Sequence, residues 1–265
     1  MANYLVLGGS GFIGSSLVKF LEKHNNLVTN LDIAENPAND LRHLQIDELQ
    51  EYDACFFLAW DVGGAKYINS KDTWENQFQN NLRIITNVIP QIKKSGIPTL
   101  FVSSQLAGVD NTPYSLTKLI GEQYCGIIEN CVIARQWNVF GSYENPGLKS
   151  HVISDFIHQA LHTGTISMMT NGNESRRFIH LEDVSVAYMT LINQNLKGVF
   201  DVCGDNFISI YEVATIISNL TGAKIIRGNL EGKTHIIKTI SKIPNWKINI
   251  ELENGIKTMI DAMRK

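Results

Sequence analysis

Residues 4–32 read YLVLGGSGFIGSSLVKFLEKHNNLVTNLD. An apolar run of strand length is followed by a glycine-rich turn, a helix-length segment, a second apolar run and an acid. This is the order of a βαβ unit, in which the glycine turn and the helix N-terminus bind a dinucleotide. The stretch therefore predicts a Rossmann-type α/β fold with a cofactor site at the end of its first strand.

Each glycine of this turn has a separate physical task. Gly8 permits the tight turn after the strand, Gly11 lets the backbone approach a pyrophosphate, and Gly14 lets the helix pack close to the sheet. Asp32 lies 18 residues beyond Gly14, where a carboxylate accepts hydrogen bonds from a ribose and repels a 2′-phosphate. A glycine triplet alone also fits a plain strand–helix turn, but the flanking strands and the acid favour NAD(H) as a bound cofactor.

The first half of the chain alternates between strand and helix patterns. Such alternation predicts a doubly wound parallel sheet with helices on both faces. The predicted strands are Leu5–Leu7, Val28–Leu31, Ala54–Ala59, Thr99–Val102 and Val132–Ala134, and the helical patterns are Phe12–Lys23, Thr73–Lys94 and Pro113–Glu129.

The alternation weakens after Gly141, where a loop rich in glycine, proline and asparagine begins. We expect residues 1–141 to form the NAD-binding domain, with returning strands at about 178–204. Residues 142–177 and 205–265 are expected to form a small substrate-binding lobe. The predicted elements there are helices at Ser150–Leu161, Ile210–Leu220 and Leu252–Met263, and strands at Phe178–Leu181 and Gly198–Val202.

Composition and charge limit the partners, the location and the metal binding expected for this protein. The 265 residues carry a net charge of −3 and are 44% hydrophobic and 18% charged, with no cluster of lysine or arginine. We therefore expect neither a nucleic-acid nor a membrane partner. The chain enters a strand directly, without a leader or an apolar run of membrane-spanning length, so a cytoplasmic protein is expected. Its four cysteines lack metal-ligand spacing, which predicts reduced core thiols and no metal.

Two groups of residues suggest proton-transfer chemistry. Tyr114 and Lys118 stand four apart at the start of a helical pattern and share one face, where the ammonium is expected to lower the pKa of the phenol. Ser103 and Ser104 follow the strand Thr99–Val102, at the sheet edge where a cofactor would lie. Taken singly, the tyrosine–lysine pair also fits a solvated surface and the serines a turn cap.

These motifs together resemble the extended short-chain dehydrogenases/reductases of the nucleotide-sugar epimerase/dehydratase type. The resemblance covers nearly the whole chain. The motifs that carry it are the glycine loop 8–14, Phe57-Leu58-Ala59-Trp60, Asn80-Asn81, Val102-Ser103-Ser104, Tyr114 with Lys118, Arg135-Gln136-Trp137-Asn138-Val139-Phe140-Gly141, and the run from Arg176 to Val184.

The resemblance implies a role for individual residues. Ser104 and Tyr114 would contact the reacting oxygen, and Lys118 would hold the nicotinamide ribose and tune Tyr114. Asn138 and Arg176 would hold the diphosphate of a nucleotide sugar. The residues implied to bind the cofactor are Gly8, Gly11, Phe12, Ile13, Gly14, Asp32, Leu58, Ala59, Trp60, Asn81, Ser103, Tyr114 and Lys118.

Two finer matches are similar to GDP-fucose synthases, which reduce 4-keto sugars. They are Asp61-Val62-Gly63-Gly64 and the segment at Ser150-His151. The second match makes His151 a candidate proton donor that touches the substrate, although a histidine at a helix start is also an ordinary cap. The pair Gln105-Leu106 follows Ser104 where related 4,6-dehydratases have an acidic pair, so 4,6-elimination is disfavoured.

The resemblance implies an NAD(H)-dependent oxidoreductase or epimerase of a nucleoside-diphosphate hexose, acting at C4. The same residues serve 4-keto reduction, C4 oxidation and C4 epimerisation, so the sequence leaves these three open. The setting implied is the biosynthesis of polysaccharide sugars, and the assembly implied is a homodimer through the two long helices. A non-catalytic NAD-binding regulatory or scaffold protein of the same fold is the alternative.

Overall fold

The structure is a computed structural model and describes residues 1–236 and 240–264. The strands are β1 (Asn3–Leu7), β2 (Leu27–Leu31), β3 (Ala54–Phe57), β4 (Thr99–Ser104), β5 (Cys131–Gln136), β6 (Asn138–Phe140), β7 (Thr165–Ser167), β8 (Ser175–Arg176), β9 (Phe178–His180), β10 (Gly198–Val202), β11 (Ile208–Ser209) and β12 (Lys224–Ile226). The helices are α1 (Phe12–Lys23), α2 (Ala65–Ile68), α3 (Lys71–Ser95), α4 (Pro113–Cys125), α5 (Val152–Thr163), α6 (Leu181–Asn193), α7 (Ile210–Thr221) and α8 (Leu252–Met263).

Six parallel strands form the central sheet, in the order β10-β5-β4-β3-β1-β2. The chain passes from β1 to β2 on one side and then to β3 on the other, so the winding reverses between β1 and β3. Ligands of such sheets bind outside the carboxyl ends of the strands at this point. The predicted doubly wound α/β fold is confirmed, and the glycine loop lies at the reversal.

Apolar side chains cover both faces of the sheet. On one face α1 and α6 bury residues such as Leu17 and Tyr188 against the strands. On the other face α3 contributes four fully buried residues, Ile85, Val88, Ile89 and Ile92. The runs of β1 and β3 are apolar at nearly every position because both faces of these strands are buried. Strand β4 is also buried throughout, but it carries polar residues at its two ends.

A third apolar cluster lies among α5, α7, α8 and β7. The short pair of β6 and β9 joins it to the sheet, because Val139 and Ile179 pack with the first face while Phe140 and Phe178 pack with the third cluster. This separate cluster supports the proposed division into a cofactor domain and a smaller lobe.

Helix α6 is the longest of the elements that the sequence analysis missed. The predicted strand Phe178–Leu181 ends at His180, and Leu181 is already the first residue of the helix. Its cap is the His180 side chain, which accepts a hydrogen bond from the Glu182 N–H. Histidine is not among the usual N-cap residues, so the sequence pattern did not predict a helix that begins at Leu181.

Two expectations drawn from composition concern the cysteines and the absence of a membrane-spanning segment. The four cysteines are buried and free, as predicted. Within the described parts of the chain, no helix combines the length and apolar character needed to cross a membrane.

The burial of α3 generates a stability prediction. Replacing the fully buried Ile85 by alanine removes apolar contact and leaves a cavity, so the free energy of unfolding should fall by about 2–5 kcal/mol. The matched control is Ile226→Ala, since Ile226 is 57% exposed and its loss should change stability by about 0.5 kcal/mol or less. Urea unfolding measures both, and equal effects would contradict the assigned core.

Candidate active site

The glycine loop is shaped by backbone contacts that exclude side chains. Gly8 has φ +87°, and a Cβ there would lie 2.6 Å from the backbone of Ala59. A Cβ on Gly14 would press on the Gly8 carbonyl oxygen and lie 2.7 Å from the Cα of Gly9. Strand β1, the loop after β3 and helix α1 therefore meet here at distances that only glycine allows.

The N-terminus of α1 is open toward this loop. Gly11 is the N-cap and provides no side-chain hydrogen bond, and a Cβ there would meet only the Gly8 carbonyl oxygen, at 3.5 Å. The first-turn N–H groups of a helix lack partners within the helix and attract anions. The loop and the helix start thus fit the pyrophosphate of a dinucleotide.

Asp32 lies at the end of β2 beside the same loop. One of its carboxylate oxygens accepts the Ser10 N–H at 3.0 Å and the other accepts the Ala34 N–H at 2.8 Å. These bonds hold the carboxylate next to the turn, where the predicted ribose contact requires it. The residues present therefore fit NAD, with Asp32 at the adenosine end.

Ser104, Tyr114 and Lys118 converge at the carboxyl edge of β4. All three are buried, and the Ser104 hydroxyl lies close enough to the Tyr114 phenol to favour its ionised form. The Lys118 Nζ lies 6.0 Å from the centre of the Tyr114 ring and donates to the Val102 carbonyl oxygen at 2.6 Å. The structure thus brings together the hydroxyl, phenol and ammonium that the sequence grouped.

Burial controls the ionisation of this group. It lowers the pKa of Lys118 to about 7 and raises the pKa of Tyr114, which the nearby Ser104 hydroxyl partly offsets. The pKa of Tyr114 is therefore raised and not lowered as expected from the sequence, because burial is the largest of the effects on it. The phenol is protonated at neutral pH.

The two serines at the end of β4 have different surroundings. The Ser103 hydroxyl donates to Glu122 at 2.6 Å, and Glu122 receives two further hydrogen bonds from Arg135 at 2.8 and 2.7 Å. Ser103 therefore belongs to a buried network behind the strand. Ser104 faces Tyr114, so the geometry favours Ser104 as the reacting hydroxyl, and the predicted cofactor contact of Ser103 stays a prediction.

The segment between Ser104 and Tyr114 is short and closely bonded. The Ser104 hydroxyl accepts the Leu106 N–H at 3.1 Å, and the Ser115 hydroxyl donates to the Leu106 carbonyl at 2.6 Å. Thr112 caps α4 by accepting the Ser115 N–H. The few residues available after β4 fold back onto the helix start and deliver Tyr114 beside the strand end.

Asp61 organises the loop that follows β3, which sequence reasoning did not anticipate. Its carboxylate accepts hydrogen bonds from Tyr67 at 2.6 Å, Asn80 at 3.0 Å and Lys149 at 3.1 Å. The Asn81 side chain bonds both the N–H and the carbonyl of Asp61. Asn81 thus acts on the loop backbone, and its predicted contact with the cofactor stays a prediction.

His151 lies next to the glycine loop. Its ring stacks on Phe12 with centroids 5.2 Å apart, and its Nδ1 pairs with Glu144 at 2.8 Å. His151 is also the N-cap of α5, but its side chain makes no capping hydrogen bond. The ring therefore lies beside Phe12 after the glycine loop, and its predicted role as a proton donor stays a prediction.

The predicted diphosphate residues lie on the seam between the sheet and the lobe. Asn138 begins β6, and its buried Oδ1 has no hydrogen-bond partner. The Arg176 guanidinium donates to the carbonyls of Ser175 and Lys233, both at 2.8 Å, and burial lowers the pKa of Arg176. An unpaired buried amide oxygen is costly, so Asn138 fits a position that a ligand completes.

Fold and loop together define an α/β protein that binds a dinucleotide at the carboxyl edge of its sheet. A sequence model of the NAD dependent epimerase/dehydratase family matches residues 4–203. The chain belongs to this family, an enzyme family that uses NAD. The resemblance derived from the motifs is thereby confirmed, and NAD is the cofactor for which the loop is built.

Individual relatives agree with this assignment over the full chain. A candidate UDP-glucose 4-epimerase of Methanocaldococcus jannaschii is 26% identical over 302 residues, which cover 98% of each chain. The solved UDP-glucose 4-epimerase of Thermotoga maritima, with UDP-glucose, has a TM-score of 0.81 and 20% identity, covering 99% of this chain and 98% of that one. An NAD-dependent NDP-hexosamine 5,6-dehydratase involved in tunicamycin biosynthesis has a TM-score of 0.85 and 18% identity, covering 100% and 98%.

The contacts of the glycine loop predict the effect of one added methyl group. Gly14→Ala forces the backbone at Gly8 and Gly9 to move, so the affinity for NAD should fall by about tenfold or more, or 1.4 kcal/mol per tenfold. Gly147→Ala is the matched control, because a Cβ there meets nothing within 4 Å. Calorimetric titration with NAD measures both, and an unchanged Gly14→Ala affinity would refute the assigned cradle.

Proposed function

We propose that the chain catalyses NAD-dependent chemistry at C4 of a nucleoside-diphosphate hexose, with inversion at C4 as the net result. Membership of the epimerase/dehydratase family supports the class of reaction. The similarity to a candidate UDP-glucose 4-epimerase over nearly the whole chain favours a UDP-sugar and epimerisation among the C4 reactions. Net reduction and net oxidation at C4 are the other outcomes that the test below distinguishes.

The observation that carries this proposal is the convergence of Ser104, Tyr114 and Lys118 at one strand end. A hydroxyl and a phenol in mutual hydrogen-bond reach can hold one substrate oxygen between them. When bound, NAD supplies the site that accepts a hydride from the sugar carbon and returns it. The residues of the chain have the remaining task of moving the proton at the oxygen on that carbon.

The ionisation of the three groups fits both directions of that proton transfer. Tyr114 is protonated at neutral pH, so it can donate to a 4-keto oxygen. To remove the proton of a C4 hydroxyl it must become a phenolate, which the charged form of Lys118 favours and the Ser104 hydroxyl stabilises. Lys118 titrates near neutrality, so the charge beside Tyr114 is adjustable at working pH.

The nucleotide end of the substrate would lie against the seam with the lobe. We assign the diphosphate to Arg176 and Asn138, because a guanidinium and an unpaired buried amide both lie there. His151 would contact the sugar, as its ring lies on Phe12 and its Nδ1 is fixed by Glu144. This arrangement would hold the hexose between the lobe and the end of β4.

The residues after Ser104 argue against 4,6-elimination. Such a reaction needs a second acid and base beyond Tyr114, and Gln105 and Leu106 carry no titratable group. The solved 5,6-dehydratase with TM-score 0.85 shares the fold at 18% identity, a level that speaks for the fold alone. The pair Gln105-Leu106 therefore gives no support to 4,6-elimination.

We also propose a homodimer through the outer faces of α3 and α4. Of the apolar residues on these helices, Ile85 and Val88 are fully buried against the sheet and are not available for it. Phe78, Leu116 and Ile120 are between 36% and 39% exposed and could form the contact.

Tyr114→Phe tests the proposed chemistry. Removing the phenol hydroxyl should lower turnover about 10²- to 10⁴-fold, the range of general acid–base catalysis, and leave NAD binding intact. Turnover is measured by proton NMR on a panel of UDP-, GDP-, dTDP- and CDP-hexoses and their 4-keto forms, which also reports whether inversion, reduction or oxidation occurs.

Tyr124→Phe is the control, because Tyr124 lies on the same helix outside the three-residue group. It should leave turnover within about twofold, as expected for a change away from reacting groups. If Tyr114→Phe retains most of its turnover, the phenol is not the proton carrier. If the wild type turns over none of the sugars while binding NAD, the non-catalytic alternative takes the place of the proposal.

A further inference from the structure

Trp60 lies directly over the buried lysine of the site. The Lys118 Nζ is 3.8 Å from the centre of the Trp60 ring, and 5.3 Å from that of Phe101. Trp60 follows β3 and Lys118 lies on α4, so the contact joins two elements that are distant in sequence. Stacking an ammonium on an indole at this distance is an attractive cation–π interaction, strongest for tryptophan among the aromatic residues.

Lys118 has few other groups to stabilise its charge. It is 3% exposed, and its one hydrogen bond goes to the Val102 carbonyl oxygen. Glu122, one turn further along α4, is taken up by Ser103 and by Arg135 of β5. Within the described residues no carboxylate forms an ion pair with Lys118, so burial opposes its charge without a full counter-ion.

The other titratable groups around the ammonium give it little help. Glu122 and Cys125, both on α4, favour its charged form, but the Cys125 thiol is itself buried. The Tyr114 ring centre lies 6.0 Å from the ammonium, and burial raises the pKa of Tyr114 and of its neighbour Tyr188. The indole face at 3.8 Å and the Val102 carbonyl are therefore the groups in direct contact with the ammonium that favour its charge.

The surroundings of Trp60 indicate that the important contact of this residue is made by the face of its ring and not by its indole N–H. Its indole N–H is buried without a hydrogen-bond partner, which is unfavourable for a residue chosen only to fill space. The ring is held in place by Phe57 and Phe101, with centroids at 6.4 and 5.7 Å. Gly121 leaves room for Phe101, since a Cβ there would lie 2.6 Å from the Phe101 ring, and Phe101 in turn packs on Trp60.

We propose that Trp60 is a positioning residue that holds the Lys118 ammonium over its ring and keeps it charged beside Tyr114. The role rests on the proposed function in one respect, namely that the charge on Lys118 serves Tyr114. The contact between ring and ammonium itself stands without that function. Without the ring, burial would drive Lys118 to its neutral form at a lower pH, and the phenolate of Tyr114 would lose its nearest positive charge.

The test is a titration of Lys118 by NMR. Protein labelled with ¹³C at the lysine Cε, with NAD bound, is titrated from pH 5.5 to 10, and the Lys118 signal is identified by its absence in Lys118→Met. Trp60→Leu retains an apolar side chain without an aromatic face. In this variant the pH midpoint of the Lys118 titration should lie about one unit below that of the wild type, because the ammonium loses the cation–π contact that stabilises it at this buried position.

Trp60→Phe is the conservative variant, with a weaker aromatic face. Its midpoint should lie between those of the wild type and Trp60→Leu. If Trp60→Leu does not fold, a midpoint of Trp60→Phe below that of the wild type still tests the proposal. A purely packing role predicts a different result, in which stability falls but the Lys118 midpoint stays at the wild-type value in both variants. That result would overturn the proposal.

The pH profile of turnover provides a second readout. In Trp60→Leu, the loss of activity due to deprotonation of Lys118 should begin about one pH unit lower than in the wild type. The two proposals fail separately, because the NMR midpoint requires no catalysis. A shifted midpoint with turnover that survives Tyr114→Phe would refute the proposed chemistry and leave the role of Trp60 standing.

Discussion

The close approach of three backbone segments at the glycine loop is the constraint on which the rest of the structure depends. Gly8 and Gly14 allow β1, α1 and the loop after β3 to meet without side chains between them. That approach brings the open N-terminus of α1 to the point where the winding of the sheet reverses. The same edge of the parallel sheet carries the end of β4, so the glycine loop and the group of Ser104, Tyr114 and Lys118 lie at one edge of the sheet.

The charge of Lys118 at that edge is not balanced by an ion pair with a carboxylate of the described residues. Glu122 is fully occupied by Ser103 and Arg135, so this buried carboxylate does not neutralise Lys118. The lysine is left with a carbonyl and an aromatic face and titrates near neutrality. A lysine of this kind responds to small changes in its surroundings, which is what adjusting the ionisation of Tyr114 requires.

The sequence predicted those parts of the molecule that depend on local patterns. Helix α1 and strand β10 begin and end as predicted, because periodicity and glycine positions define them. Helix α6 was missed because its cap is a histidine. The direction of the pKa of Tyr114 was also mistaken, since helical spacing gives the distance to Lys118 but not the degree of burial.

Contacts between segments that are distant in the chain could likewise not be predicted from the sequence. Asp61 gathers Tyr67, Asn80 and Lys149 from three parts of the chain, and no spacing rule links them. Trp60 was assigned to the cofactor through its backbone, while its side chain lies on Lys118. In both cases the contacts depend on tertiary packing, which leaves no periodic pattern in a single sequence.

The most direct test of the account is to follow the hydrogen at C4. UDP-glucose carrying deuterium at C4 would be incubated with the protein and NAD, and the position of the label in the recovered sugars determined by NMR. The account predicts that the 4-epimer appears with deuterium still at C4. Loss of the label to water, or a product altered at another carbon while C4 keeps its configuration, would contradict it.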